Sequence, residues 1–289
     1  MSPEFILGIA IAGTLTGAVY GLMALGLSAI FGVMRVVNFA HGEMMVGGMY
    51  IAYLLYKTMG LDPIMMLPVA ALGLFVVGYL LQRYLVNYFI EVPEHVQFLL
   101  LLAVAMVFTN AFLMIFGPDA RGVQLPYAFD SYNVGPLVID KVRLIAAVIA
   151  VLIAALLGLF FAKTRTGKAI RACADNLTGA QVVGLDVKHL YAVTFGLGAA
   201  CVGAGGALML LLVDVHPHLT TDYTLLGFII VIIGGLGSLP GALLGGVLIG
   251  LSEAFAGFFL AASMKSMFAF GLLILVLLFR PNGLLGRGA

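Results

Sequence analysis

Residues 5–34 read FILGIAIAGTLTGAVYGLMALGLSAIFGVM, thirty positions without one charged side chain. A helix of about 20 apolar residues, rising 1.5 Å per residue, crosses a ~30 Å hydrocarbon core. The stretch therefore predicts a membrane-embedded helix with length to spare. It far exceeds the ~7–15-residue apolar core of a secretory signal, and no small-residue cleavage site with polar flanks follows, so it reads as a retained span. Gly13, Gly17 and Gly21 recur at every fourth position, a spacing that lets two helix backbones meet closely in lipid. Gly241 with Gly245, and Gly246 with Gly250, repeat the pattern near the other end of the chain.

The same character extends through all 289 residues. Further charge-free runs cover 44–56, 63–82, 96–118, 144–162, 190–213, 223–252 and 266–279. The chain is 63% hydrophobic and only 9% charged, with a mean hydropathy of +1.17. A soluble domain carries roughly 25% charged residues, so lipid must be the solvent for most of this chain. Spans of this length must be helices, because hydrocarbon offers no partner to open backbone groups. A β-barrel would instead show ~10-residue alternating segments. The predicted fold is an all-α, polytopic transmembrane bundle forming a single domain over 1–289. The net charge of +1 argues against a nucleic-acid partner. Cys173 and Cys201 are too few for a disulfide framework and read as structural.

Orientation follows from the segment 163–188, which holds Lys163, Arg165, Lys168, Arg171 and Lys188 against Asp175 and Asp186. Basic excess marks a cytoplasmic loop. Alternating from it gives spans near 5–33, 40–56, 63–82, 96–117, 144–162 and 190–213, with the N-terminus outside. The run 223–252 would be about 45 Å long as one helix. It is interrupted by GGLGSLPG at 234–241, which no straight helix would choose. It is therefore expected to be a broken or re-entrant helix, two arms meeting at a glycine turn, and the total comes to about eight or nine spans. In this layout Arg35, Arg83, Arg280 and Arg287 join the five basic residues of the central loop inside.

Three features rise above a generic bundle. In RVVNFAHGEM (35–44), Asn38, His41 and Glu43 enter an apolar stretch. One reading makes Asn38 the N-cap of a helix, with His41 at its third position and Glu43 suited to the helix dipole and paired with Arg35. The other has these groups line a solute route. In the second feature, Gly234, Gly235, Gly237 and Ser238 form either a tight hairpin turn or a helix break whose freed backbone groups hold polar solute. The third, TRTGKAIRACADN (164–176), reads as a short amphipathic helix capped by Thr166, with Ala169, Ala172 and Cys173 on one side and Lys168, Arg171 and Asp175 on another; Gly184 marks a later turn. Such a face suits docking of a partner protein. Nothing points to catalysis: Gly167-Lys168 lacks a phosphate-binding lead, and His216 and His218 with Asp214 and Asp222 read as an exposed polar loop. No metal or cofactor is expected.

At these residues the chain resembles the membrane permease subunits of the bacterial branched-chain amino acid importers, within the ATP-binding-cassette transporters. The matching pieces are YGLMALGL (20–27), VVNFAHGE (36–43), TGKAIRACAD (166–175), GGLGSLPGALLGG (234–246) and LFRPNGLL (278–285), in order and spread over nearly the whole length. The resemblance implies a multi-pass subunit of the cell inner membrane with no enzymatic activity of its own. A second, homologous permease subunit, two cytoplasmic ATPase subunits and an extracytoplasmic substrate-binding protein would complete the system. It also implies that 163–188 is the ATPase-coupling loop, with Gly167, Arg171, Asp175 and Gly184 transmitting closure of the ATPases. The cargo would be a small polar solute: a branched-chain or related amino acid, with urea or short amides as the alternative. A stand-alone channel or ion-coupled carrier fits less well, because only Glu43 and Glu253 offer carboxylates near apolar runs.

Overall fold

The computed structural model describes residues 3–90, 92–135, 137–260 and 264–286; Arg287, placed inside by the charge count, lies outside them. The chain runs α1 (Pro3–Met34), α2 (His41–Met59), α3 (Pro63–Tyr84), a 3-10 turn (Val86–Tyr88), α4 (Glu94–Phe116), β1 (Ser131–Val134), β2 (Leu137–Asp140), α5 (Lys141–Lys163), α6 (Arg165–Asp175), α7 (Leu177–Val182), α8 (Val187–Met209), α9 (Leu219–Gly234), α10 (Leu239–Phe259) and α11 (Lys265–Phe279). Among the described residues six helices are long and apolar enough to cross a membrane: α1, α3 with its 3-10 turn, α4, α5, α8 and α10; α9 and α11 are shorter apolar helices. To the expected helices the structure adds one antiparallel hairpin, β1–β2, pairing Ser131 with Asp140 through Val134 with Leu137.

The ends are set by local chemistry. Asp62, Asp140, Thr164, Asn176, Asp186 and Ser238 each accept a backbone N–H of the helix they precede, at 2.8–3.2 Å. Such side chains satisfy donors that a helix start leaves open. The expected break in 223–252 is the turn between α9 and α10, where Gly235 (φ 105°) and Gly237 (φ 78°) take left-handed backbone and Pro240 opens the next helix.

α8 is the central post: 83% of its apolar window is buried, against 33% or less in the other five long spans. It packs on α1, α2 and α3, while α1 also lies along α10, α5 and α9. The α1–α10 contact is backbone on backbone. A Cβ on Gly17 would stand 2.6 Å from the Gly246 carbonyl oxygen, and one on Gly13 would stand 2.8 Å from that of Gly250. The four-residue glycine spacing thus meets its counterpart on the partner helix. Along α8, a Cβ on Gly48 would lie 2.6 Å from the Gly203 carbonyl oxygen.

The bundle has two unlike ends. One gathers the end of α1, the basic α6–α7 segment and the α9–α10 turn, which receives the C-terminal segment through Leu284 N–H to the Ile233 carbonyl (2.8 Å) and Leu285 N–H to that of Gly234 (3.0 Å). The other is tied by cross-links between loops. The Tyr56 hydroxyl donates to the Gln124 carbonyl (2.8 Å), the Tyr127 hydroxyl to the Asp62 carboxylate, and Arg121 and Val215 exchange backbone bonds at 2.8 and 2.9 Å. Burial, helped by Asp62, pushes the Tyr127 phenol well above its ordinary range.

Candidate functional site

α1 ends where Arg35 takes φ 55°, and residues 35–40 fold back into the bundle. His41, the first residue of α2, places Nε2 3.0 Å from the Met23 carbonyl oxygen. Met23 lies eleven residues before the end of α1, roughly 16 Å along the helix. α2 therefore starts deep inside the protein. Asn38 does not cap it: its Oδ1 accepts the Ala40 N–H at 3.1 Å, Ala40 is the N-cap residue, and His41 rather than a later position opens the helix. Arg35 is exposed and does not pair with Glu43; the two ion pairs among the described residues are Lys141–Asp130 and Arg143–Asp140. The left-handed turn at Arg35 separates the two side chains that sequence proximity had joined.

Glu43 instead meets hydroxyls. Thr109 of α4 donates to its Oε1 and Thr224 of α9 to its Oε2, each at 3.4 Å. Thr109 lies 3.2 Å from Thr220, which donates to the Pro217 carbonyl at 3.0 Å. The Gly42 N–H donates to Thr224 Oγ1 at 3.0 Å, and a Cβ on Gly42 would run into Thr220 and Thr224. Asn38 and His41 are fully buried, and Glu43 is 6% exposed. Beside this cluster Phe39 stacks edge-on to Phe98 of α4 (centroids 4.3 Å apart) and against Phe228 of α9 (4.7 Å). The three residues singled out at 38–43 are all buried, but their contacts differ: Asn38 bonds Ala40 locally, His41 meets α1, and Glu43 meets α4 and α9. Thr109, Thr220 and Thr224, not singled out from the sequence, surround Glu43. Their signal was present: Thr220 and Thr224 are one turn apart on one helix face, and Thr109 interrupts an apolar helix.

Gly234, Gly235, Gly237 and Ser238 lie elsewhere, at the basic end of the bundle. Gly234 abuts Gly241, Gly235 abuts the C-terminal segment, and a Cβ on Gly237 would lie 3.0 Å from the Gly32 Cα. The Ile233 and Gly234 carbonyls are taken by Leu284 and Leu285, and the Ser238 hydroxyl accepts the Gly241 N–H.

The basic segment forms an elbow between α5 and α8. Thr164, not Thr166, caps α6, its Oγ1 accepting the Gly167 N–H at 2.9 Å. Gly167 lets α6 turn back on α5: a Cβ there would stand 2.7 Å from the Phe161 Cα. Gly167, Ile170 and Cys173 form the buried stripe, while Ala172, expected on that side, is exposed. Burial raises the Cys173 thiol above its ordinary range, so it packs as a small apolar group. Lys168, Arg171 and Asp175 face outward, the Arg171 guanidinium reaching the Ala162 carbonyl at 3.5 Å. Leu177, Val182 and Val183 on and after α7 are exposed at the same end, and Gly184 turns the chain at φ 83°. Among the described residues no group of three or more His, Cys, Asp or Glu side chains is placed to hold a metal.

A lipid-soluble helix bundle with a buried polar cluster in its interior and a basic amphipathic elbow at one end defines a multi-pass membrane transport subunit. Residues 9–277 match the family described as the branched-chain amino acid transport system / permease component, and the chain belongs to that family. It is 33% identical to the high-affinity branched-chain amino acid transport system permease protein BraD of Pseudomonas aeruginosa, over 95% of this chain and 94% of that one. It is 29% identical to the permease protein LivH of the corresponding system of Escherichia coli, with the same coverages. A solved structure, PsaBC from Streptococcus pneumoniae in complex with Fab, superposes with a TM-score of 0.48 at 14% identity, over 94% of this chain and 91% of that one. The chain is a transport subunit, not an enzyme.

Proposed function

We propose that this chain is the permease subunit of an ATP-driven importer that moves branched-chain or related amino acids across the cell inner membrane. The relatives' names support the cargo, and urea or a short amide is the alternative carried by the same machinery. The observation that carries the energetic side is the elbow: a short helix held against α5, α8 and α1, with its charged face outward. A ligand shifts only states that it binds differently, so ATP must be felt through contact, and this elbow is the surface shaped for it. Gly167 fixes its angle, Arg171 and Asp175 meet the ATPase, and Gly184 returns the chain to α8. Two cytoplasmic ATPases, a second permease subunit and an extracytoplasmic binding protein complete the assembly.

In this reading α2, α9 and α11 join the six long spans to give nine crossings, with the basic end in the cytoplasm. Asn38, His41 and Glu43 border the solute route. The occupied backbone groups at Gly234, Gly235, Gly237 and Ser238 favour a rigid joint there, at the route's cytoplasmic rim. Arg171→Glu in the reconstituted transporter tests the elbow. Membrane insertion should be unchanged and ATP-coupled uptake lost; normal coupled uptake would remove Arg171 from the contact.

A further inference from the structure

The cluster around Glu43 has its hydrogens spent and its lone pairs left over. The single hydrogen of Thr109 goes to Glu43 or to the Thr220 hydroxyl oxygen, that of Thr224 to Glu43 or to the Phe39 carbonyl, and that of Thr220 to the Pro217 carbonyl, so none is left over for a solute. His41 Nε2 faces a carbonyl, so it carries the proton, and Nδ1 is then an acceptor; it is buried and has no partner. With the Glu43 carboxyl ionised, what remains on it and on the three hydroxyls is acceptor capacity. The carboxylate is buried, and no cation pairs with it among the described residues. It is stabilised only by hydroxyls at 3.4 Å and by the start of α2, where backbone N–H groups favour negative charge. An ionisable side chain inside a membrane bundle normally sits with a partner charge or marks a solute path.

From this we infer that Glu43, with Thr109, Thr220 and Thr224, is the transient binding site for the ammonium group of the solute. An ammonium brings three donors and the missing positive charge. A carboxylate or phosphate would meet acceptors alone. A neutral urea or amide supplies donors but leaves Glu43 uncompensated, so the site selects the amino acid over the alternative cargo. Phe39, Phe98 and Phe228, all half-buried, lie next to the cluster and offer an apolar surface for the aliphatic side chain. One wall is α4, which packs mainly on α2 and whose apolar window is only 11% buried, so its displacement opens the cluster with few contacts broken.

The assignment rests on the cluster lining the route, and the test separates the two claims. Thr109→Cys is introduced in a chain carrying Cys173→Ala and Cys201→Ala, assembled with its ATPases, second permease and binding protein in liposomes. The thiol is labelled during turnover with the cationic reagent 2-aminoethyl methanethiosulfonate and with the anionic 2-sulfonatoethyl methanethiosulfonate, each normalised to its rate with free thiol. The expected result is labelling slowed by solute-loaded binding protein, with the cationic reagent favoured about tenfold or more. Adding Glu43→Gln should bring the ratio to near unity, and Glu43→Asp should retain it. Labelling that solute slows but that ignores reagent charge, or a ratio unchanged by Glu43→Gln, overturns the ammonium site and leaves the route in place. A thiol that turnover never exposes, in a complex that still transports, overturns the route and the ammonium site together.

Discussion

Gly167→Ala is the sharpest perturbation of the elbow. Its added carbon would stand 2.7 Å from the Phe161 Cα and nearer still to the Phe160 carbonyl oxygen, where ordinary contact begins at 3.4 Å. Backbone on both sides leaves no flexible side chain to yield, so α6 must move off α5 by about 0.7 Å or more, the difference between those distances. Overpacking of this kind costs about 1–3 kcal/mol, and 2 kcal/mol is a factor of roughly thirty in an equilibrium between two packings. The strain falls on the joint between span and elbow, not on the bundle core. The assembled complex should therefore still hydrolyse ATP, while solute moved per ATP falls at least severalfold. The control is Gly158→Ala on α5, where a Cβ meets nothing within 4 Å. Uptake and hydrolysis measured on the same proteoliposomes give the ratio. If Gly167→Ala matches Gly158→Ala in uptake per ATP, the tight α5–α6 joint does not transmit force, and the argument fails.

Two further outcomes follow from packing and burial. Gly17→Ala should lower the midpoint of thermal unfolding in detergent by about 2–12 °C, from a cost of about 1–3 kcal/mol at about 2–4 °C per kcal/mol, because its Cβ would sit 2.6 Å from the Gly246 carbonyl oxygen. Gly158→Ala should be neutral or slightly stabilising, since alanine is the better helix former. Because burial raises the Cys173 thiol, its thiolate fraction at any given pH is below that of a free cysteine. Labelling of Cys173 by a charged thiol reagent at pH 8 should be far slower in the folded chain than after denaturation; equal rates would place it on the surface.

Much of the architecture was legible because lipid leaves few choices. Charge-free runs marked nearly every long helix, and GGLGSLPG marked the α9–α10 turn because glycine and proline in series end helices for local reasons. Gly13, Gly17 and Gly21 announced a close helix contact but not its partner, α10, which only the three-dimensional path supplies. The errors cluster where tertiary contacts overrule local ones. Asn38 looked like a cap, yet α2 starts where the Met23 carbonyl and Thr224 meet it. Arg35 and Glu43 looked paired, and a single left-handed residue parts them. Ala172 was placed with Ala169 and Cys173 on an apolar face of α6 suited to docking a partner, but Cys173 packs with Gly167 and Ile170 against the bundle itself, Ala172 is exposed, and the charged face is the one left outward. The threonines around Glu43 come from helices 66 and 181 residues away in sequence, so no local pattern could gather them.

The central claim is that this chain conducts solute only when ATPases drive it from the basic end. Its most direct test is uptake of labelled leucine into liposomes holding this chain alone, or this chain with the second permease subunit, the ATPases and the binding protein. The account predicts no accumulation by the chain alone, and ATP-dependent accumulation by the full assembly that vanishes when either the ATPases or the binding protein is left out. Robust flux through the chain alone without ATP would contradict it and identify a self-sufficient channel or carrier.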